Sequence, residues 1–287
     1  MNRRSLLLAL LAAGCTSGGA EVTIAAGEKG GLYYDFATLL AARLETARVV
    51  ETAGSLANLD LLRSGAVTLA LTLADAAHTA DDLLCLGRVY ENYLQLVVRA
   101  DDPARTPADL AGRVVSLGAS GSGASLSGER LLTALRPTVP VTVEHLRLAD
   151  AADALAHHRI DALLWSGGVP TPTLARLPAV RLLPLADLVP TLRAAHGSVY
   201  DQVPVPAGVY GAPREVPTIG VANLLACRPD LTDATAAAIT TTLVSRAADL
   251  VPEQALGTQF LDVRSLIGTV GVPLHPGAAR TYRDLHG

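Results

Sequence analysis

The sequence has few of the residues that mark binding to nucleic acids or metals. Lys29 is the single lysine, and acidic residues outnumber basic ones, which gives a net charge of −4 at pH 7. Because no cluster of basic residues is present, a nucleic-acid partner is not expected. The motifs Cys-x-x-Cys and His-Glu-x-x-His are also missing, so the sequence predicts no metal site and no cofactor. Hydrophobic residues still make up 50% of the chain, enough for a sizeable core.

Motifs of common enzymes are missing as well. A serine hydrolase would carry Gly-x-Ser-x-Gly, but the nearest stretch, residues 118–122, ends in serine. No lysine follows this glycine-rich loop, as a Walker A motif would require. No histidine stands in a matching context, although a pairing in space stays open from the sequence. We therefore expect a binding protein and not an enzyme.

The first residues have the features of an export signal. Arg3 and Arg4 precede an apolar run at 6–13, which is too short to span a bilayer. Residues 11–15, Leu-Ala-Ala-Gly-Cys, resemble a bacterial lipobox, in which the cysteine, here Cys15, receives a lipid. The resemblance implies a protein anchored to the outer face of the cytoplasmic membrane, with 1–14 as signal peptide and 15–20 as tether. Secretory and twin-arginine export both fit this start.

Two further cysteines, Cys85 and Cys227, lie in the exported part of the chain. They could pair in an oxidising compartment, but sequence alone does not give their separation. Two buried free thiols are the favoured interpretation.

Strand-like and helix-like segments alternate along the chain, which predicts parallel sheets with crossover helices. One series precedes a polar crossing at 101–107, a second follows it, and proline and glycine cluster at 203–217. This organisation predicts an α/β protein of two lobes around a central ligand cleft that closes by hinge bending. The predicted lobes are 21–99 with 215–287, and 100–214.

Three loops rich in glycine and serine lie between a strand and a helix, at 30–34, 54–58 and 118–125. Helix N-termini present unpaired backbone N–H groups, so these loops predict a site for a small anionic or zwitterionic solute. Each residue also has a structural alternative: Ser55 as a helix cap, Asp75 as a cap of the next helix, Trp165 as a packing residue. The candidate ligand-binding residues are Gly31, Tyr33, Ser55, Asn58, Asp75, Ser120, Ser122, Gly123, Trp165, Gly167 and Tyr210.

These loops, taken in order, resemble the TAXI-type solute-binding proteins of tripartite ATP-independent periplasmic (TRAP) transporters. The resemblance covers the chain from about residue 22 to its end. It rests on the motifs GGLYY at 30–34, GSLANL at 54–59, DLAGRVVSLG with GSG at 109–123, DALLWSGGVP at 161–170, VPAGVY at 205–210 and LHPGA at 274–278.

The resemblance implies a type II periplasmic-binding-protein fold that captures an organic acid or amino acid such as glutamate. It also implies delivery to integral-membrane TRAP subunits, and we expect a monomer. Leu73 and Ala124 stand where the family often has Gln and Thr. Losing two polar groups predicts a smaller or less polar carboxylate than glutamate. The alternative is an accessory module that presents its ligand to a membrane receptor or sensor kinase.

Overall fold

The computed structural model describes residues 21–80, 82–253 and 261–286, and strands and helices alternate along it as predicted. The predicted signal peptide, the tether and Cys15 lie outside the described residues. The strands are β1 Val22–Ala25, β2 Ala47–Val50, β3 Leu69–Leu73, β4 Leu84–Arg99, β5 Val114–Ser116, β6 Thr142–Glu144, β7 Ala162–Gly167, β8 Val180–Leu183, β9 Tyr200–Val205 and β10 Val216–Cys227. The α-helices are α1 Leu32–Ala41, α2 Ser55–Arg63, α3 Ala74–Ala77, α4 Gly123–Leu135, α5 Leu148–Ala156, α6 Pro172–Ala175, α7 Val189–His196, α8 Asp233–Ser245, α9 Val263–Leu266 and α10 Pro276–His286.

The strands form one curled sheet with a parallel group at each end. Its order is β2-β1-β3-β10-β4-β7-β5-β6, with β8 on β4 and β9 on β10. The strands β2, β1 and β3 are parallel, as are β7, β5 and β6. The antiparallel strands β10 and β4 separate the two groups. Each parallel group thus has its own crossover helices, as expected of an α/β lobe.

Two long strands connect the halves of the sheet. The β4 strand pairs with β10 up to Leu94 and with β7 from Tyr93 to Val98. The β10 strand pairs with β9 up to Val221 and with β3 from Asn223 onward. The strands therefore run continuously from one half into the other, which is the arrangement expected of hinge strands.

Several predicted bounds differ from the structure. The apolar pattern of the sequence predicts a strand at 93–99, but β4 already begins at Leu84. The earlier part is hidden in the pattern because Arg88, Glu91 and Asn92 are polar, although their backbone pairs with β10. The sequence also predicts one helix over 233–250. In the structure, helix α8 ends at Ser245, and a 3₁₀ turn, Ala247–Leu250, follows it.

The largest core cluster packs the helices of the first half against the sheet. Helix α1 buries its apolar side there, and Phe36 meets Tyr90 of β4 edge to face, with ring centroids 5.2 Å apart. Cys85 and Cys227 lie in the same cluster as free, buried thiols, as the sequence favoured. Burial raises the pKa of both thiols, that of Cys227 to about 12.

Candidate functional site

A cavity lies where the carboxyl ends of strands from both parallel groups meet. The volume of the cavity, measured as the space that the centre of a water molecule can reach, is about 40 Å³. One water needs roughly 10–15 Å³ by this measure, so the space suits a solute of a few heavy atoms. The lining residues are Gly27, Glu28, Gly31, Leu32, Tyr33, Ala53, Gly54, Ser55, Leu73, Asn92, Ser122, Gly123, Ala124, Trp165 and Ser166.

The N-termini of α1, α2 and α4 converge on this cavity. The first two residues of each helix have no backbone acceptor for their N–H groups within the described chain. Each helix also places the positive end of its dipole at the cavity. The cavity wall therefore combines unpaired donors with positive potential, which suits a carboxylate or another small anion. The lining residues with unpaired N–H groups are Leu32, Tyr33, Ser55, Gly123 and Ala124.

Glycine permits the close approach of α4 to the first half of the sheet. A Cβ atom on Gly123 would lie 2.5 Å from Cδ1 of Leu73 and 2.6 Å from Oγ of Ser55. Gly54, before α2, has a φ of 128°, which favours glycine, and it packs against Ser122. Ser122 caps α4, since its Oγ accepts a hydrogen bond from the N–H of Ser125 at 3.0 Å.

Ser55 joins three parts of the wall. Its Oγ accepts a hydrogen bond from the Leu73 N–H at 3.0 Å and lies 3.1 Å from the Tyr33 hydroxyl. The cap position of α2 belongs to Gly54, and Ser55 makes no side-chain cap hydrogen bond. Ser55 therefore links β3 to the ring of Tyr33 and does not cap its own helix. Burial raises the pKa of Tyr33, so its hydroxyl stays protonated.

Glu28 is the charged side chain of the cavity wall, and sequence reasoning missed it. Its side chain is 8% exposed, and its Oε2 accepts a hydrogen bond from the Leu148 N–H at 3.1 Å. The guanidinium of Arg147 approaches the same oxygen at 3.6 Å. Burial raises the pKa of the Glu28 carboxyl, which the Leu148 N–H and Arg147 partly oppose. Its position within the same glycine-rich turn as Gly31 was the available signal.

The opposite wall comes from β4 and β7. Asn92 donates a hydrogen bond to Oγ of Ser166 at 3.2 Å and accepts one from Asn223 at 2.7 Å. Trp165 is 9% exposed, and its Nε1 has no hydrogen-bond partner in the described structure. The wall thus offers a polar amide, a hydroxyl and the indole of Trp165 to a bound solute.

Contacts close the cavity between the two halves of the sheet. The N–H of Ala57 in α2 donates to the carbonyl of Gly121 at 3.0 Å. At the mouth, Arg147 forms an ion pair with Glu51 at 2.6 Å, and Lys29 meets Glu51 at 3.4 Å. With the hydrogen bond from Leu148 to Glu28, these contacts hold the first half against the second.

The model of one protein family matches residues 24–285, nearly the whole chain. The family is described as NMT1-like. The chain belongs to the NMT1-like family.

Solved structures support the fold of this NMT1-like protein. A protein from Bordetella bronchiseptica RB50 matches with a TM-score of 0.59 and 14% identity, over 93% of this chain and 98% of its own. The protein Tv2483, solved with L-arginine, gives a TM-score of 0.54 and 14% identity, over 84% and 93%. MatC from Rhodopseudomonas palustris, solved with malate, gives 0.53 and 16%, over 80% and 86%. The predicted two-lobed periplasmic-binding-protein fold is confirmed.

The described part of this NMT1-like protein contains no helix long and apolar enough to cross a membrane. Within the same residues, no group of three or more His, Cys, Asp or Glu side chains is placed to hold a metal ion.

Six of the predicted ligand-binding residues are brought together at the cavity, and the other five lie elsewhere. Asn58 is fully buried below the loops, where its amide donates to the carbonyls of Ala26 and Leu71. Ser120 is exposed, and Gly167, although next to the wall residue Ser166, is not part of the lining. The cavity-lining members of the predicted set are Gly31, Tyr33, Ser55, Ser122, Gly123 and Trp165.

Asp75 lies outside the cavity in a buried polar cluster of its own. Its Oδ2 accepts hydrogen bonds from Ser127 and Tyr200, both at 2.8 Å, and lies 3.5 Å from Nη1 of Arg130. Oδ1 has no partner among the described atoms. Burial raises the pKa of the Asp75 carboxyl, which Tyr200 and Arg130 partly oppose. Through these contacts Asp75 links α3 to α4 and to β9, and it is not part of the cavity lining.

Tyr210 lies at a separate cavity of about 440 Å³ on the second half of the protein. Its hydroxyl donates to Oε1 of Gln95 and accepts from the Thr171 N–H at 2.6 Å. The amide of Gln95 in turn donates to the carbonyl of Gly168, just after β7. Tyr210 thus contacts, through Gln95, the end of β7, the strand that carries Trp165.

Proposed function

We propose that this NMT1-like protein is an extracytoplasmic solute-binding protein that captures a small carboxylate in the cavity described above. The observation that carries the proposal is the convergence of unpaired N–H groups from α1, α2 and α4 on one cavity. Preformed donors at helix N-termini bind an anion with little reorganisation. Tv2483 solved with L-arginine and MatC solved with malate share the fold, and both compounds carry a carboxylate.

The proposed solute is smaller or less polar than glutamate. Leu73 and Ala124, which replace the Gln and Thr frequent in TAXI-type proteins, both line the cavity. Their apolar side chains offer no hydrogen bond to a second carboxylate, and a buried charge without partners is costly. The small free volume points in the same direction.

We further propose that the protein is a TAXI-type component of a TRAP transporter, lipid-anchored through Cys15. The ordered motifs from 30–34 to 274–278 support this assignment. In this proposal, two lobes close around the solute by bending at β4 and β10; one lobe is 21–99 with 215–287, and the other is 100–214. The protein in its closed form then docks on the integral-membrane subunits and releases its solute to them.

Thermal unfolding tests the binding proposal. The chain from Glu21 onward is heated with amino acids, keto acids, dicarboxylates and phosphate, each in turn. A ligand that binds only the folded state adds about 2.7 kcal/mol of stability at a hundred times its Kd. We expect a clear rise in Tm with a short carboxylate. No shift with any compound would refute solute binding, and tight binding of glutamate would refute the proposed selectivity.

Reconstitution tests the delivery proposal. Uptake of the solute found above is measured in vesicles that contain TRAP membrane subunits from the same genome, with and without the purified protein. We expect uptake that requires both the protein and an ion gradient. Binding without stimulated uptake would favour the accessory sensing module over transport.

A further inference from the structure

The charge distribution around the cavity is asymmetric. Its donors are backbone N–H groups, and no Lys, Arg or His side chain lines it among the described residues. The one formal charge of the lining is negative and belongs to Glu28. A site built for a simple anion would gain nothing from a buried carboxylate, since like charges repel and a buried charge is costly.

Glu28 has acceptor capacity left for a ligand. Oε2 receives the hydrogen bond from Leu148 and faces Arg147, whereas Oε1 accepts no hydrogen bond from the described residues. Arg147 is 51% exposed and holds Glu51 more closely, at 2.6 Å, than Glu28, at 3.6 Å. Arg147 therefore compensates Glu28 weakly from the solvent side, and Oε1 of this lining residue keeps its acceptor capacity.

An aromatic ring, that of Trp165, lines the same cavity as Glu28 and lies near the Glu28 backbone. A Cβ atom on Gly31 would lie 3.5 Å from Cζ2 and 3.6 Å from Cη2 of Trp165, and 3.1 Å from the carbonyl of Glu28. Glycine at position 31 therefore keeps a side chain out of the space between the indole and the Glu28 backbone. Trp is the aromatic side chain with the strongest cation–π attraction, and the Glu28 carboxylate in the same lining also attracts a cation.

We infer that the cavity selects a small zwitterion, whose carboxylate binds the helix N-termini and whose ammonium group binds Glu28 beside the ring of Trp165. The inference rests on the proposed function, because it assumes that the carboxylate occupies the N–H groups. It assigns Glu28 as the specificity-determining residue. Because the cavity is small, a compound of the size of glycine or alanine suits it better than one with a long side chain.

Matched ligands test this inference on the unaltered protein. Titration calorimetry compares L-alanine with L-lactate and propionate, which keep the carboxylate and the carbon chain but lack the ammonium group. We expect the zwitterion to bind about tenfold more tightly or better, which corresponds to about 1.4 kcal/mol. Equal affinity for propionate and alanine would overturn the inference and leave carboxylate binding intact. No binding of any carboxylate would overturn the proposed function as well.

Glu28→Gln provides the second measurement. The amide oxygen still accepts from the Leu148 N–H, so the fold is retained, but the negative charge is gone. We expect the preference for alanine over propionate to fall about tenfold, with propionate affinity unchanged or higher. Glu51→Gln is the control, because Glu51 also pairs with Arg147 but lies outside the cavity lining. An alanine preference retained in Glu28→Gln, or lost equally in Glu51→Gln, would refute the role of Glu28.

Discussion

The buried cluster around Asp75 gives the sharpest prediction for stability. Asp75 is completely buried, and the guanidinium of Arg130, which is 15% exposed, lies 3.5 Å from its Oδ2. At this separation and an effective dielectric constant of about 20, the two charges attract each other by about 5 kcal/mol. Arg130→Met keeps an unbranched side chain of similar length but removes the charge, so the Asp75 carboxylate loses its compensation.

We expect Arg130→Met to lower the free energy of unfolding by about 3–4 kcal/mol at pH 7.5. The value is below the full Coulomb energy because Ser127 and Tyr200 still donate to the carboxylate. Arg43→Met is the matched control. Arg43 and Asp249 form an ion pair of 3.2 Å, but both side chains are about 40% exposed, so its loss costs about 1 kcal/mol or less.

The pH dependence separates electrostatics from packing. Burial raises the pKa of Asp75 in the folded state, so the folded protein binds this proton more tightly than the unfolded chain does. The stability that comes from Asp75 is therefore greatest below the unfolded pKa and is lost as the pH rises through the folded pKa. Without Arg130 the folded pKa rises further, so the cost of Arg130→Met shrinks as the pH falls from 7.5 towards 5.

Urea unfolding of the wild-type protein and both variants at pH 7.5 and 5 measures these differences. Equal losses of stability in the two variants at pH 7.5 would contradict a strong buried ion pair. A loss in Arg130→Met that is independent of pH would also contradict it, because a pure packing defect does not titrate.

Three further predictions concern the cavity and the core. Gly31→Ala places a methyl group against Trp165, so solute affinity falls about tenfold or more by calorimetry, while the free energy of unfolding changes by about 1 kcal/mol or less; unchanged affinity would show that the solute lies elsewhere. Gly123→Ala brings a Cβ against Leu73 and Ser55, which costs about 1–3 kcal/mol in urea unfolding; a neutral result would contradict the close approach. The third prediction concerns the chain from Glu21 onward, treated with a thiol reagent at pH 8. We expect Cys85 and Cys227 to stay unmodified until the protein unfolds, because both thiols are buried and their pKa values are raised. Rapid modification of the native protein would contradict their burial.

The sequence predicted the parts of the site that depend on local pattern. A strand, a glycine-rich turn and a helix in succession predict a helix N-terminus at the edge of a sheet, and Gly31, Ser55 and Gly123 lie there. The same pattern could not distinguish residues that face the cavity from those beneath it. Asn58 is one turn beyond Ser55 and still faces inward, because the carbonyl of Ala26, just after β1, and that of Leu71 in β3 accept its amide protons.

Residues whose role depends on distant partners were not predictable in this way. Asp75 follows a strand, as a ligand-binding carboxylate would, but Ser127, Arg130 and Tyr200 reach it from the other half of the sheet. The local pattern around Glu28 predicts only a turn, because nothing in it indicates that α5 packs against this residue. Helix α7 was missed too, although Pro190 in its first turn is a helix-start signal.

The position of β10 has a consequence for the order in which the protein is made. This strand lies between β3 and β4, yet it is synthesised more than a hundred residues after them. Until Val216–Cys227 emerges, β3 and the first part of β4 lack the strand that pairs with both, and such open edges favour pairing with other chains. The first half of the sheet therefore completes only after β10 has been synthesised, and until then β3 and β4 expose edges that other chains can pair with.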